Sequence, residues 1–133
     1  MFTSSEAFSS FSVDDIDKAR LFYEETLGLD VQEGMMGNLE IRLGNGAQLF
    51  IYAKPDHVPA TFTVLNFVAD DVEKAVDELN ARGVTTKIFG DEDLADMPPN
   101  DEKGIMRDEE NRAAIAWFTD PAANVLAVVA ASM

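Results

Sequence analysis

The strongest constraint on this fold is a sentence the chain writes twice. Residues 14–31 read DDIDKARLFYEETLGLDV, and residues 70–86 read DDVEKAVDELNARGVTT. In the first copy Ile16, Ala19, Tyr23 and Leu27 fall at steps of three, four and four, which places them on one helix face, with Phe22 widening it. Val72, Ala75, Val76 and Leu79 do the same in the second. Each copy opens on an acid pair, Asp14-Asp15 or Asp70-Asp71, able to accept from the free amides of a first helical turn. Each closes on a glycine, Gly28 or Gly83, suited to a left-handed cap. The acid pairs are 56 residues apart and the glycines 55, so one copy carries an extra residue.

The flanks repeat as well. Strand-like runs precede the helices at 7–13 (AFSSFSV) and 61–69 (TFTVLNFVA). Three more follow the first helix: DVQEGM, NLEIRL and AQLFIYA, the last two joined by Gly44-Asn45-Gly46 as a hairpin turn. Three follow the second: TTKIF, RAAIAWFT and NVLAVVAAS, with Pro121 in the turn DPAAN before the last. Each half therefore predicts β-α-β-β-β. The expected fold class is α+β. Two such modules, 7–54 and 61–132 of one domain spanning 1–133, would form a curved mixed sheet with the helices outside and a central cleft.

Charge and composition narrow the partners. There are 25 acidic residues against 10 basic, a net of −15, which argues against nucleic acid and against an anionic membrane surface. A cationic compound would be attracted at long range. Nine acids and two bases lie in 91–110, expected to be a solvated loop. No apolar run approaches a membrane span. The start MFTSSEAFSS does not resemble a signal peptide, and there is no cysteine, so a soluble cytoplasmic protein is expected.

Three segments taken together resemble the vicinal-oxygen-chelate superfamily of glyoxalases, bleomycin-resistance proteins and extradiol dioxygenases. They are FSVDDIDKARLFYEETLGLDV, FVADDVEKAVDELNARGV and WFTDPAANVLAVV, together running from residue 11 to residue 129. Ala123 departs from the pattern, standing where the family usually has glycine. Metal-using members hold a divalent ion with four strand residues offering oxygen or nitrogen, at about 2.0–2.6 Å. The resemblance places those four positions at Phe8, Phe50, Val64 and Ala127, none of which has a donor atom. A slip of two residues, which keeps the same face, gives Ser10, Tyr52, Asn66 and Val125 or Val129, again not a ligand set. No metal and no cofactor are therefore expected. The resemblance implies a metal-independent protein of the bleomycin-resistance kind that sequesters a small aromatic or cationic compound, and a homodimer.

Strand alternation puts Phe8, Ser10 and Ser12, then Gln48, Phe50 and Tyr52, on the faces of the missing ligands. Phe62, Val64, Asn66 and Val68, with Val125, Ala127 and Val129, do so in the second half. The predicted ligand-binding residues are Phe8, Ser10, Phe50, Tyr52, Val64, Asn66, Trp117 and Ala127, and no catalytic residue is predicted. Trp117 either rims the cleft or packs at a subunit contact. Met35 and Met36 are read as gap-fillers or pocket wall. His57, the one histidine, reads as an ordinary loop residue. No Ser-His-Asp set and no glycine-rich phosphate loop is evident. Two alternatives stay open: a lyase or dioxygenase with an unusual metal site, and a structural module whose cleft is filled.

Overall fold

The computed structural model describes residues 1–90, 93, 98–108, 110 and 113–131. It divides into two compact units, Met1–Pro59 and Ala60–Met133. Among the described residues each has a mixed four-stranded sheet and one α-helix.

In the first unit β1 (Ser9–Val13) runs parallel to β4 (Gln48–Ala53), and β3 (Leu39–Arg42) and β2 (Asp30–Glu33) follow antiparallel, in the order β1-β4-β3-β2. Helix α1 (Ile16–Arg20) starts at Asp15, whose carboxylate accepts from the amides of Asp17 and Lys18. It then widens into a π-helical turn, Leu21–Thr26, with the Leu27 amide reaching back to the Phe22 carbonyl at 2.9 Å. This is where the first copy spends its extra residue: a π turn absorbs one insertion without turning the buried face away from the sheet. Ala19 and Tyr23 are fully buried, as are Val13, Leu39, Ile41, Leu49 and Ile51 of the sheet, and Phe11 meets Tyr23 from β1. The Gly44–Gly46 hairpin forms as predicted, with Gly46 left-handed at φ 83°.

The second unit repeats the plan. β5 (Thr63–Ala69) pairs parallel with β8 (Val125–Ala130), β7 (Ala114–Thr119) is antiparallel to β8, and the short β6 (Met106–Arg107) closes the order β5-β8-β7-β6. Helix α2 (Val72–Ala81) begins at Asp71, which accepts from the Lys74 amide, and ends before Gly83 at φ 87°. Val72 and Val76 bury against Ile105, Ala116 and Val128.

Two expectations fail here. TTKIF (85–89) forms no strand; Met106–Arg107 takes that place in the sheet. Thr86 is buried and bonds through its side chain: its hydroxyl donates to the Lys103 carbonyl at 2.7 Å and accepts from Asn80 Nδ2 at 2.9 Å. The backbone at Gly104 lies so close that an added Cβ would sit 2.0 Å from the Thr86 carbonyl oxygen. Side-chain bonds and this approach hold the segment where a ladder was expected. The acid-rich stretch 91–110 is also not wholly a solvated loop. Residues 91–92, 94–97 and 109 lie outside the described residues, but Ile105 and Met106 are buried. Across them Lys103 pairs with Glu73 and Asp77, and Arg107 with Glu73 and Asp101. The acids of this stretch and of α2 find the two bases between them, and the apolar pair Ile105-Met106 makes the core contact.

Candidate functional site: two strand faces

In β1 and β4 the alternation sends Val13, Leu49 and Ile51 into the core. It leaves Phe8, Ser10, Ser12, Phe50 and Tyr52 on the other face, where register sets Ser10 beside Phe50 and Ser12 beside Tyr52. The aromatic rings make a short ladder. Phe8 meets Phe50 edge-on with centroids 6.3 Å apart, and Phe50 lies nearly parallel to Tyr52, also at 6.3 Å. Phe8 remains 66% exposed, so this ladder does not fill a core. At its end, past β4, the Lys54 amide bonds the Val13 carbonyl and the His57 amide bonds the Lys54 carbonyl. This turn carries His57 back over β1, where Nδ1 lies 2.6 Å from Ser12 Oγ. The expectation of an ordinary loop histidine missed that pairing: 45 residues separate the partners, and neither carries a local signal.

In the second unit Asn66, Ala127 and Trp117 occupy matched positions on β5, β8 and β7. Three of the four expected residues of this half therefore share one face. Ala127 is fully buried, Asn66 is exposed and Trp117 is half-buried. A register shift between Thr63 and Leu65 breaks the simple alternation used for Phe62 and Val64. Val64 lies in that irregularity, and Thr63 reaches the tryptophan instead, accepting from Trp117 Nε1 at 3.1 Å. Phe89 meets Trp117 edge-on at 5.4 Å. Thr63 and Phe89 are neighbours that alternation cannot find, because one depends on a bulge and the other on a segment that leaves the sheet. Phe62 and Val68 are each 69% exposed. Met35 and Met36 fill no gap: both are exposed, Met36 at 96% and in a left-handed conformation.

The four positions implied for a metal hold Phe8, Phe50, Val64 and Ala127, and hydrocarbon side chains do not fit a divalent ion. Among the described residues no cluster of three or more His, Asp or Glu side chains could hold one either. A hollow of about 380 Å³ lies elsewhere, lined by Asn80, Val84, Thr86, Lys87 and Lys103 among others. Asn80 Nδ2 donates to the Val84 carbonyl and to Thr86 within it, and Lys87 bonds Asn100 outside its lining. It is a seam of the fold. No helix among the described residues is long and apolar enough to cross a membrane.

The two β-α-β-β-β units, one with an aromatic strand face and the other with a tryptophan-bearing face, make the α+β class that the sequence repeat predicts. The chain belongs to the Glyoxalase/Bleomycin resistance protein/Dioxygenase superfamily, whose profile matches residues 8–128. None of the curated proteins compared with the sequence matches it. Among solved structures it is similar to a glyoxalase family protein from Enterococcus faecalis, at 19% identity and TM-score 0.68, covering 97% of this chain and 99% of that one. It is similar to TnmS3, an antibiotic binding protein from Streptomyces sp. CB03234, at 26% identity and TM-score 0.64, covering 96% and 98%. It also resembles a lactoylglutathione lyase from Agrobacterium tumefaciens, at 21% identity and TM-score 0.60, covering 98% and 96%.

Proposed function

We propose that this protein is a metal-independent binder of small aromatic compounds, acting as a homodimer. The observation that carries this reading is the replacement of donor atoms by an exposed aromatic surface at the family's metal positions. Phe8 and Phe50 turn two of those positions into ring faces, and Tyr52 extends them. An apolar strand face with a few oriented polar groups matches the general character of small-molecule sites. The similarity to an antibiotic binding protein supports the same reading. Phe8, Phe62 and Val68 leave large apolar surface in water, which a ligand or a second copy of the chain would cover.

The test is calorimetric titration with 1-methylnaphthalene, with and without EDTA. The expected result is saturable binding unchanged by the chelator and weakened at least about fivefold in Phe50→Ala, from lost ring contact. Binding that vanishes with EDTA and returns with a divalent ion would overturn the reading. Light scattering is expected to give twice the 14.6 kDa chain mass; a monomer at micromolar concentration would refute the dimer.

A further inference from the structure

We propose that Glu40 and Arg42 form a head-group site beside the aromatic ladder, and that the face takes aromatic zwitterions: compounds with an ammonium and a carboxylate on one carbon next to a ring. The inference rests on the reading of that face as a ligand surface and specifies what the surface takes.

Leu39 and Ile41 of β3 are buried, so Glu40 and Arg42 turn to the other face. That face is the aromatic one, since Glu40 stands beside Phe50, and Arg42 beside Gln48, across the β3–β4 ladder. Arg20, Arg82 and Arg107 each hold a carboxylate within 3.6 Å. Glu40 and Arg42 make no ion pair with each other or with any other described residue, in a chain with 25 acids. Their neighbours are engaged elsewhere or leave them room. Asp30, opposite Arg42 on β2, accepts from Gln32 Nε2 at 2.8 Å. The Glu40 side chain lies over Gly34, where an added Cβ would come within 2.9 Å of its Cγ and 3.2 Å of its Oε1. Gly34 has an extended backbone open to any residue, so what its glycine supplies is space for Glu40. An ionised carboxylate only accepts and a guanidinium only donates, which fixes the direction of each contact. The two positions are about 7 Å apart along β3, and β4 runs about 5 Å to their side. A ring on Phe50 therefore brings its head group to both, the ammonium to Glu40 and the carboxylate to the Arg42 fork. A compound with one charge leaves the other side chain unmatched. A lone carboxylate is also repelled at long range by the net charge of −15.

The experiment compares four ligands with one ring system, by calorimetry at pH 7 in 0.15 M salt. They are 3-(1-naphthyl)alanine, with both charges; 2-(1-naphthyl)ethylamine, with the amine alone; 3-(1-naphthyl)propionate, with the acid alone; and 1-methylnaphthalene, with neither. At that ionic strength exposed charges are largely screened beyond about 8 Å, so local contacts decide the order. The intact protein is expected to bind the amino acid at least about threefold more tightly than either singly charged compound, the scale of one further exposed ion pair. In Glu40→Gln the amino acid is expected to fall to the affinity of the propionate, and in Arg42→Gln to that of the ethylamine. Each comparison sets two ligands on the same protein, so a general loss of affinity cannot imitate it. A singly charged compound or the hydrocarbon binding as tightly as the amino acid, or a preference that survives both variants, would overturn the head-group site and leave the aromatic face standing. Failure of all four compounds to bind would overturn the head-group site and the aromatic-binding reading together.

Discussion

Two residues stand in conformations that their side chains resist. Ala123 sits at φ 66° in the turn before β8, and Met36 at φ 58° in the short turn Met35–Gly37. The Ala123 turn survives because its surroundings fix it. Buried Asp120 accepts from the amides of Ala122 and Asn124 and from Asn124 Nδ2, all within 3.0 Å, while its own amide bonds the Asn124 carbonyl. A methyl group in the left-handed region costs about 1 kcal/mol, which glycine avoids. Ala123→Gly is therefore expected to stabilise the protein by up to about 1 kcal/mol, seen as a rise of a few degrees in melting temperature. An unchanged or lower melting point would show that the turn bears no such strain. The turn was legible in the sequence from Asp120, Pro121 and Asn124; its strain was visible only as a departure from the family's glycine. The Ser12–His57 pair was not legible at all, since no periodicity joins β1 to the turn after β4.

The helices and most strands were written locally. Acid caps, apolar spacing and closing glycines each act within a few residues, and the structure uses both Asp15 and Asp71 as read. TTKIF misled because strand propensity was overridden by a tertiary approach, that of Gly104 to the Thr86 backbone. At φ 85° and with its Cβ position occupied by that carbonyl, Gly104 has no tolerated replacement. Gly104→Ala is expected to cost at least about 2 kcal/mol in urea denaturation; a loss under about 0.5 kcal/mol would contradict the packing described. The segment it belongs to is also held by charge. Burial pushes the Asp101 carboxyl up, but the Arg107 guanidinium and the amides of Ile105 and Lys103 outweigh it and hold it below its ordinary 3.8. Asp77 and Glu73 hold the Lys103 ammonium well above its ordinary 10.5. A depressed carboxyl stabilises the fold above its unfolded value and loses that contribution as pH falls through the lower folded one. A raised ammonium stabilises below 10.5 and loses its contribution as pH climbs above it. Urea midpoints are thus expected to hold between about pH 5 and 10 and to fall on both sides. Asp101→Asn should flatten the acid limb; an unchanged acid limb in that variant would remove Asp101 from the account.

At the scale of the whole molecule, the repeated β-α-β-β-β plan was legible because two copies of one pattern constrain each other. One copy alone would leave its helix spacing ambiguous by the residue that the π turn absorbs. The candidate faces were legible in outline, since a strand's alternation names its exposed side. They were blurred where a bulge moved Thr63 to Trp117 and where Phe89 arrived from outside the sheet. The central claim is chemical: at the four positions the resemblance implies for a metal stand Phe8, Phe50, Val64 and Ala127, none offering oxygen or nitrogen. Native mass spectrometry of the protein as purified, without added metal or chelator, tests this most directly. The account predicts a dimer of unmodified 14.6 kDa chains carrying no stoichiometric divalent ion. A mass increment of one zinc, nickel, manganese or iron per chain would contradict it.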